Sequence, residues 1–229
     1  MSTLDDSGNG HGAAAAFTDL MASLLVVFVL LFVVALNKRA SAQDQNLKDL
    51  IEALKGNLQS AGLDAASVTR DSVDRNAALV VFPDSLLFDV GSEAMRPEGV
   101  RIVSSATPRI ASVLCRDSLK KRIETVVVEG HTDARVPKGI SPQEGRAYNL
   151  RLSQLRSMNV VSESMVALAQ SSDRDCYLTL VSATGRGREN LLPAPVDSLD
   201  ARQRRVILKI RLRTDVADNV AVAVEGSRK

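Results

Sequence analysis

Apolar and polar positions divide the chain into stretches of different period. From Ala13 to Leu36 there is no Lys, Arg or Glu, and Asp19 is the one ionisable residue. A helix over that stretch is roughly 36 Å long at 1.5 Å per residue, enough to cross a hydrocarbon core of about 30 Å. Leu24 to Leu36 shows no polar face, unlike the helix of a soluble core. A cleaved secretory signal is the competing reading, because Ala40-Ser41-Ala42 resembles a cleavage site. The lack of Lys or Arg in residues 1–16 and the length of the apolar run favour a retained anchor. Further on, Leu47, Leu50, Ile51, Leu54 and Leu58 recur at helical spacing within a polar segment. That narrow stripe suits a seam between two helices, and hence a dimer, or contact with a membrane or partner; a solvated linker helix stays open beside these.

From Asn76 the pattern changes to α+β. Leu79–Phe82 reads as a strand closed by Pro83, and Leu86–Val90 as a second short apolar run. Residues 100–114 read as a helix that Pro108 interrupts. Ile123–Val128 reads as a buried strand that ends in Glu129-Gly130-His131-Thr132-Asp133. Ser141-Pro142-Gln143-Glu144 has the signals of a helix start, Ser as N-cap, Pro next and Glu third. That helix is expected to run to about Ala169, and Tyr177–Ala183 to follow as a strand. In residues 206–213, Val206, Leu208, Ile210 and Leu212 alternate with Ile207, Lys209, Arg211 and Arg213, the pattern of a half-buried strand. Strand, helix and strand in succession imply a parallel crossover within a mixed sheet. The expected plan is a short tail (1–12), a transmembrane helix (13–36), an amphipathic linker helix (37–75), an α+β domain (76–214) and a flexible C-terminal tail (215–229).

Composition narrows the function classes. With 29 Lys+Arg against 27 Asp+Glu, the net charge is +2, which marks neither a nucleic-acid-binding surface nor an acidic tail. Five Phe, two Tyr and no Trp make a poor platform for stacking bases. Two His leave a metal or triad site little to build on, so no metal, cofactor or enzymatic centre is expected.

Three groups of residues carry candidate chemistry. Asp19 caps the membrane helix at its surface, or lies about 9 Å inside a helix that starts near Ala13. In the second case desolvation raises its pKa and lets it alternate between protonated and charged forms. Asp133 follows a strand, while Tyr148, Asn149, Leu152 and Arg156 share an arc of roughly 100° on the next helix. Such a pocket suits a zwitterion, the guanidinium taking a carboxylate and Asp133 an ammonium; an Asp133–Arg156 salt bridge that pins helix to strand is the alternative. Cys115 and Cys176 both precede strands expected to be neighbours, so they form a disulfide, or else rest as inert buried thiols.

The run Gly130-His131-Thr132-Asp133, followed by Asn149-Leu150-Arg151-Leu152-Ser153-Gln154-Leu155-Arg156, resembles the signature of OmpA-like peptidoglycan-binding domains. Phe88-Asp89-Val90-Gly91-Ser92 and Arg204-Arg205-Val206 fit as well, so the likeness spans about residues 76–214. It implies that Asp133 and Arg156 hold the diaminopimelate of the peptidoglycan stem peptide, that Asn149, Leu152 and Tyr148 adjoin them, and that His131 supports the turn. One membrane helix ahead of such a domain resembles MotB-like stator subunits, and Phe17-Thr18-Asp19-Leu20 resembles their membrane motif. The resemblance makes Asp19 the carrier of an ion, H⁺ being expected. It also implies a homodimer within a pentamer of MotA-like multi-helix subunits, a cytoplasmic N-terminus and a periplasmic domain in the bacterial inner membrane. Counting Lys38 and Arg39 as cytoplasmic argues for the opposite orientation. Thr18, the absence of Trp and the non-basic N-terminus resemble the ZorB family of Zorya anti-phage defence systems more than flagellar MotB.

Overall fold

The computed structural model describes residues 9–59, 67–189, 191–192, 197 and 199–213, without the side chains of 9–16 and 39–42. The first described element is one long helix, α1 (Asn9–Gln59), and the chain divides within it into two compact units, Met1–Gln45 and Asn46–Lys229. In the first unit every described side chain from Phe17 to Lys38 is exposed, including all the Leu, Val and Phe. A helix apolar all round, with its described side chains exposed, has the composition of a bilayer span. Among the described residues it is the one helix long and apolar enough to cross a membrane. The expected tails, 1–12 and 215–229, lie wholly or mostly outside the described residues.

The second unit starts well before residue 76. Leu47, Leu50, Leu54 and Leu58 are completely buried and belong to the same apolar cluster as Val68, Val80, Ile123 and Leu212. Arg122 Nη1 adds a hydrogen bond to Asn46 Oδ1. The stripe read as a seam or a linker is therefore covered by the domain's own core. Strand β1 (Val68–Arg70) also precedes the expected boundary and pairs with β2 (Ala77–Pro83). The physical reason is a helical stripe too narrow to specify its partner: the same leucines fit a second helix or a sheet.

The remaining elements are α2 (Asp84–Leu87), α3 (Pro97–Leu114), α4 (Asp117–Lys120), β3 (Ile123–His131), α5 (Pro142–Ala167), α6 (Arg174–Leu180), β4 (Val181–Gly187) and β5 (Arg205–Leu212). The sheet order is β1-β2-β5-β3-β4; β3 and β4 run parallel and the other pairs are antiparallel. Thus β3–α5–β4 is the crossover, and the chain is α+β with a mixed sheet. In β5, Val206, Leu208, Ile210 and Leu212 join the core beneath the helices, while Lys209 and Arg211 lie on the open face.

Two elements differ from the sequence reading. Pro108 lies inside α3 without ending it. Buried Ala106, Thr107, Ile110 and Ala111 hold that helix, and Thr107 Oγ1 lies 3.1 Å from Ser164 Oγ on α5. Packing there offsets the backbone bond that proline cannot donate. Residues 174–180 are helical, and the strand begins at Val181. A short apolar run does not distinguish helix from strand by period alone. Tyr177 is buried in α6, and Cys176 beside it is joined to Cys115 by a disulfide with a Cα–Cα distance of 6.0 Å.

Candidate functional site

The ends of β3 and β4 meet the middle of α5 at a close approach that only glycine permits. A Cβ on Gly130 would fall 2.1 Å from the Ser153 carbonyl, and one on Gly185 would fall 2.5 Å from the Gln154 nitrogen. Side chains of α5 fasten the parallel pair: Gly185 N donates to Gln154 Oε1 at 2.6 Å and Gly187 N to Ser153 Oγ at 2.8 Å. At the start of α5 the Ser141–Glu144 capping box forms in both directions, 3.2 Å and 2.8 Å. These contacts set the rotation of α5 and so aim its polar residues at the loop after β3.

A cavity of about 300 Å³ results, lined in part by Val90, Gly91, Thr132, Asp133, Tyr148 and Asn149, with Leu152, Arg156 and Arg204 completing its inner wall. All five residues singled out for this pocket therefore lie on one cavity. Asn149 is buried and donates to the carbonyls of Arg135 (3.0 Å) and Asp133 (3.4 Å), fixing the loop. Tyr148 donates its hydroxyl to the Gly91 carbonyl at 3.4 Å. Gly91 has φ +76°, the left-handed region, which lets the 89–92 turn close over the site.

Asp133 and Arg156 each have a charged partner of their own. Arg156 Nη1 lies 2.7 Å from Asp84 Oδ1, with side chains only 1% and 3% exposed, at an angle outside that of a linear hydrogen bond. Its Nε and Nη2 donate to the carbonyls of Ser92 (2.8 Å) and Asp89 (3.0 Å), and its guanidinium sits 5.1 Å from the Phe88 ring centroid. Asp133 Oδ2 accepts from Arg204 Nη1 at 2.6 Å and lies 3.4 Å from Arg135 Nε; its Oδ1 accepts the Arg135 backbone N–H at 3.0 Å. Arg204 Nε in turn lies 3.6 Å from Asp84 Oδ2. Four charges thus form a chain, Arg156–Asp84–Arg204–Asp133. Burial pushes the Asp84 carboxyl up to about 6, against the pull of Arg156 and Arg204. Burial likewise lowers the Arg156 guanidinium.

Sequence reading missed Asp84 and gave Arg204 no role. Arg204 stands within a quoted motif, whereas Asp84 is a lone acid after a proline, with no signal beyond its place at the end of β2. His131 lies on the other side of β3, buried, 3.5 Å from Glu129 Oε2, while Arg186 Nη2 donates to Glu129 Oε1 at 2.8 Å. In the first unit, Asp19 is exposed on α1, two residues after exposed Phe17. Among the described residues no group of His, Cys, Asp and Glu has the arrangement of a metal site.

No protein-family model and no curated protein matches the chain. A MotB-like protein from Desulfovibrio vulgaris superposes with a TM-score of 0.52 at 21% identity, over 77% of this chain and 98% of that one. The periplasmic domain of Helicobacter pylori MotB gives 0.45 at 16% identity, covering 70% and 98%. The cell wall anchor of the type VI secretion system of Pseudomonas aeruginosa gives 0.45 at 23%, covering 70% and 97%. The first of these defines the class by fold: an α+β domain built on a mixed sheet. Within that class the fold is similar to that of the MotB-like protein, and in this chain one apolar helix comes before it in the sequence.

Proposed function

We propose that this chain is a single-pass inner-membrane subunit, anchored to peptidoglycan, of an ion-driven motor complex, with Asp19 carrying the ion. The observation that carries the reading is the cavity that gathers Asp133, Asn149, Leu152, Tyr148 and Arg156, in a chain that also has an acid on a helix apolar enough to span a bilayer. The domain is read as periplasmic and the N-terminus as cytoplasmic. There the cavity receives the diaminopimelate of a stem peptide: Arg156 takes its carboxylate, and Asp133 takes its ammonium on lone pairs left by Arg204 and Arg135. Asp19 accepts an ion, with H⁺ as our assignment, becomes neutral, moves past a MotA-like multi-helix partner and is recharged on release. The membrane potential supplies about 2.3 kcal/mol per elementary charge per 100 mV for that cycle. Two copies within a pentameric partner ring, and service in Zorya-type anti-phage defence as a ZorB-like subunit, complete the proposal. The Phe17-Thr18-Asp19 motif and the absence of Trp support that branch.

The test is co-purification from membranes with a multi-helix neighbour, with wild type and Asp19→Asn compared in phage-infection and motility assays. Loss of function with assembly intact is the expected result, and the assay that responds identifies the branch. An Asp19→Asn protein that behaves as wild type, with no multi-helix partner, would reduce the chain to a passive tether between membrane and wall.

A further inference from the structure

Two of the cavity's three arginines, Arg156 and Arg204, converge on one acid that sequence reading did not single out. Asp84 opens α2 directly after β2, and its carboxylate is buried. Oδ1 lies 2.7 Å from Arg156 Nη1 on α5, and Oδ2 lies 3.6 Å from Arg204 Nε ahead of β5. Its backbone N–H also donates to the Arg204 carbonyl at 3.2 Å, so it holds that residue by main chain and side chain together. The remaining described donors of Arg156 go to neutral carbonyls, which makes Asp84 its close counter-ion. Asp133, at the end of β3, reaches Asp84 only through Arg204. Arg156, Arg204 and Asp133 are thus the charged groups that face Asp84 from α5, the β5 approach and β3.

We propose that Asp84 is the positioning residue of the cavity: one buried carboxylate fixes both guanidiniums and so sets its preference for a ligand that bears a free carboxylate. The proposal rests on the peptidoglycan reading above and deepens it. A guanidinium recognises a carboxylate through two parallel N–H donors, a geometry that holds only while the arginine is held from behind. Removing Asp84 adds positive field, which is undirected, and removes placement, which is directed. Discrimination therefore falls more than overall retention. Meso-diaminopimelate and cadaverine probe that difference, since cadaverine keeps the two ammonium groups on a five-carbon chain and has no carboxylate.

The experiment uses the full chain in detergent micelles bound to diaminopimelate-type sacculi, with free meso-diaminopimelate or cadaverine as competitor. In wild type, diaminopimelate is expected to displace the protein at a concentration at least about tenfold below that of cadaverine, as befits one charge-assisted pair. In Asp84→Asn the two competitors should come within about threefold, and Asp84→Glu, whose carboxylate sits one methylene further out, should fall between. A folded Asp84→Asn with wild-type discrimination would overturn the proposal. Should Asp84→Asn not fold, Asp84→Glu decides alone: full discrimination at wild-type Tm would likewise overturn it. If wild type binds no sacculi, the peptidoglycan reading fails instead, and Asp84 is judged separately from the Arg 1H–15Nε spectrum. There the cross-peaks of both Arg156 and Arg204 should move in whichever of the two variants folds; movement of neither or only one would refute the positioning role.

Discussion

Two ionic clusters among the described residues of the second unit differ chiefly in access to water. At the cavity, Arg156, Asp84, Arg204 and Asp133 stand in a chain with side chains 1–13% exposed. On the open face of the sheet, Lys209 bridges Asp71 (2.5 Å) and Asp74 (3.7 Å), and Arg211 bridges Asp74 (3.1 Å) and Glu124 (3.6 Å), with Arg211 and Glu124 half exposed. Distances are similar in both. The desolvation already spent differs, so the first cluster is costly to break and selective, whereas the second mainly keeps a sheet face soluble.

The largest effect should follow from removing a partner in the buried cluster. Arg156→Leu is expected to destabilise the domain by about 3–5 kcal/mol in chemical denaturation, because Asp84 loses its nearest counter-ion. The same variant should release sacculi. Asp84 can then take up a proton, so the deficit should be smaller at pH 5 than at pH 7.5; an equal deficit would mean that the pair contributes packing alone. A wholly apolar tie gives the calibration. Leu54→Ala, completely buried on α1, should cost about 2–5 kcal/mol by the same measurement, whereas a stripe that served only a second copy would leave the monomeric domain unaffected.

Next in size comes Glu129, where a buried acid is paired with exposed Arg186. Burial raises its pKa, but the nearby His131 and the hydrogen-bonded Arg186 outweigh this and hold it at about 2, below the ordinary 4.5. A depressed acid contributes stability that is full above the unfolded value and is lost as pH falls through the folded one. The contribution should disappear between about pH 4.5 and 2, at most about 3 kcal/mol. Tm against pH should show that descent in wild type and a shallower one in Glu129→Gln. Parallel curves would assign the acid limb to other groups.

The legible parts of the molecule were those in which one local signal sufficed. The Ser141–Glu144 box marked the start of α5, alternation marked β5, and unbroken apolarity marked the 24–36 stretch of α1. The pocket residues were also readable, because α5 presents Tyr148, Asn149, Leu152 and Arg156 by period alone. What escaped depended on tertiary partners. The leucines of 47–58 gave their period but not the core they enter, and Tyr177–Ala183 read as a strand although its first four residues belong to a helix packed in the core and tied to Cys115. Asp84 and Arg204 were hidden because their meaning lies in each other, 120 positions apart in the chain.

The smallest effect belongs to the open face and is the control for everything above. Arg211 is half exposed, and its ion pairs with Asp74 and Glu124 are reached by solvent on one side. Water screens the attraction, and ordering two long side chains consumes most of what is left. Arg211→Ala should therefore change stability by less than about 1 kcal/mol, with any change vanishing as salt is raised towards 1 M, where the Debye length is about 3 Å. Retention on sacculi should be unaltered. If Arg211→Ala instead matched Arg156→Leu in either stability or retention, burial would not be what separates the two clusters, and the open face would have to be counted as part of the binding surface.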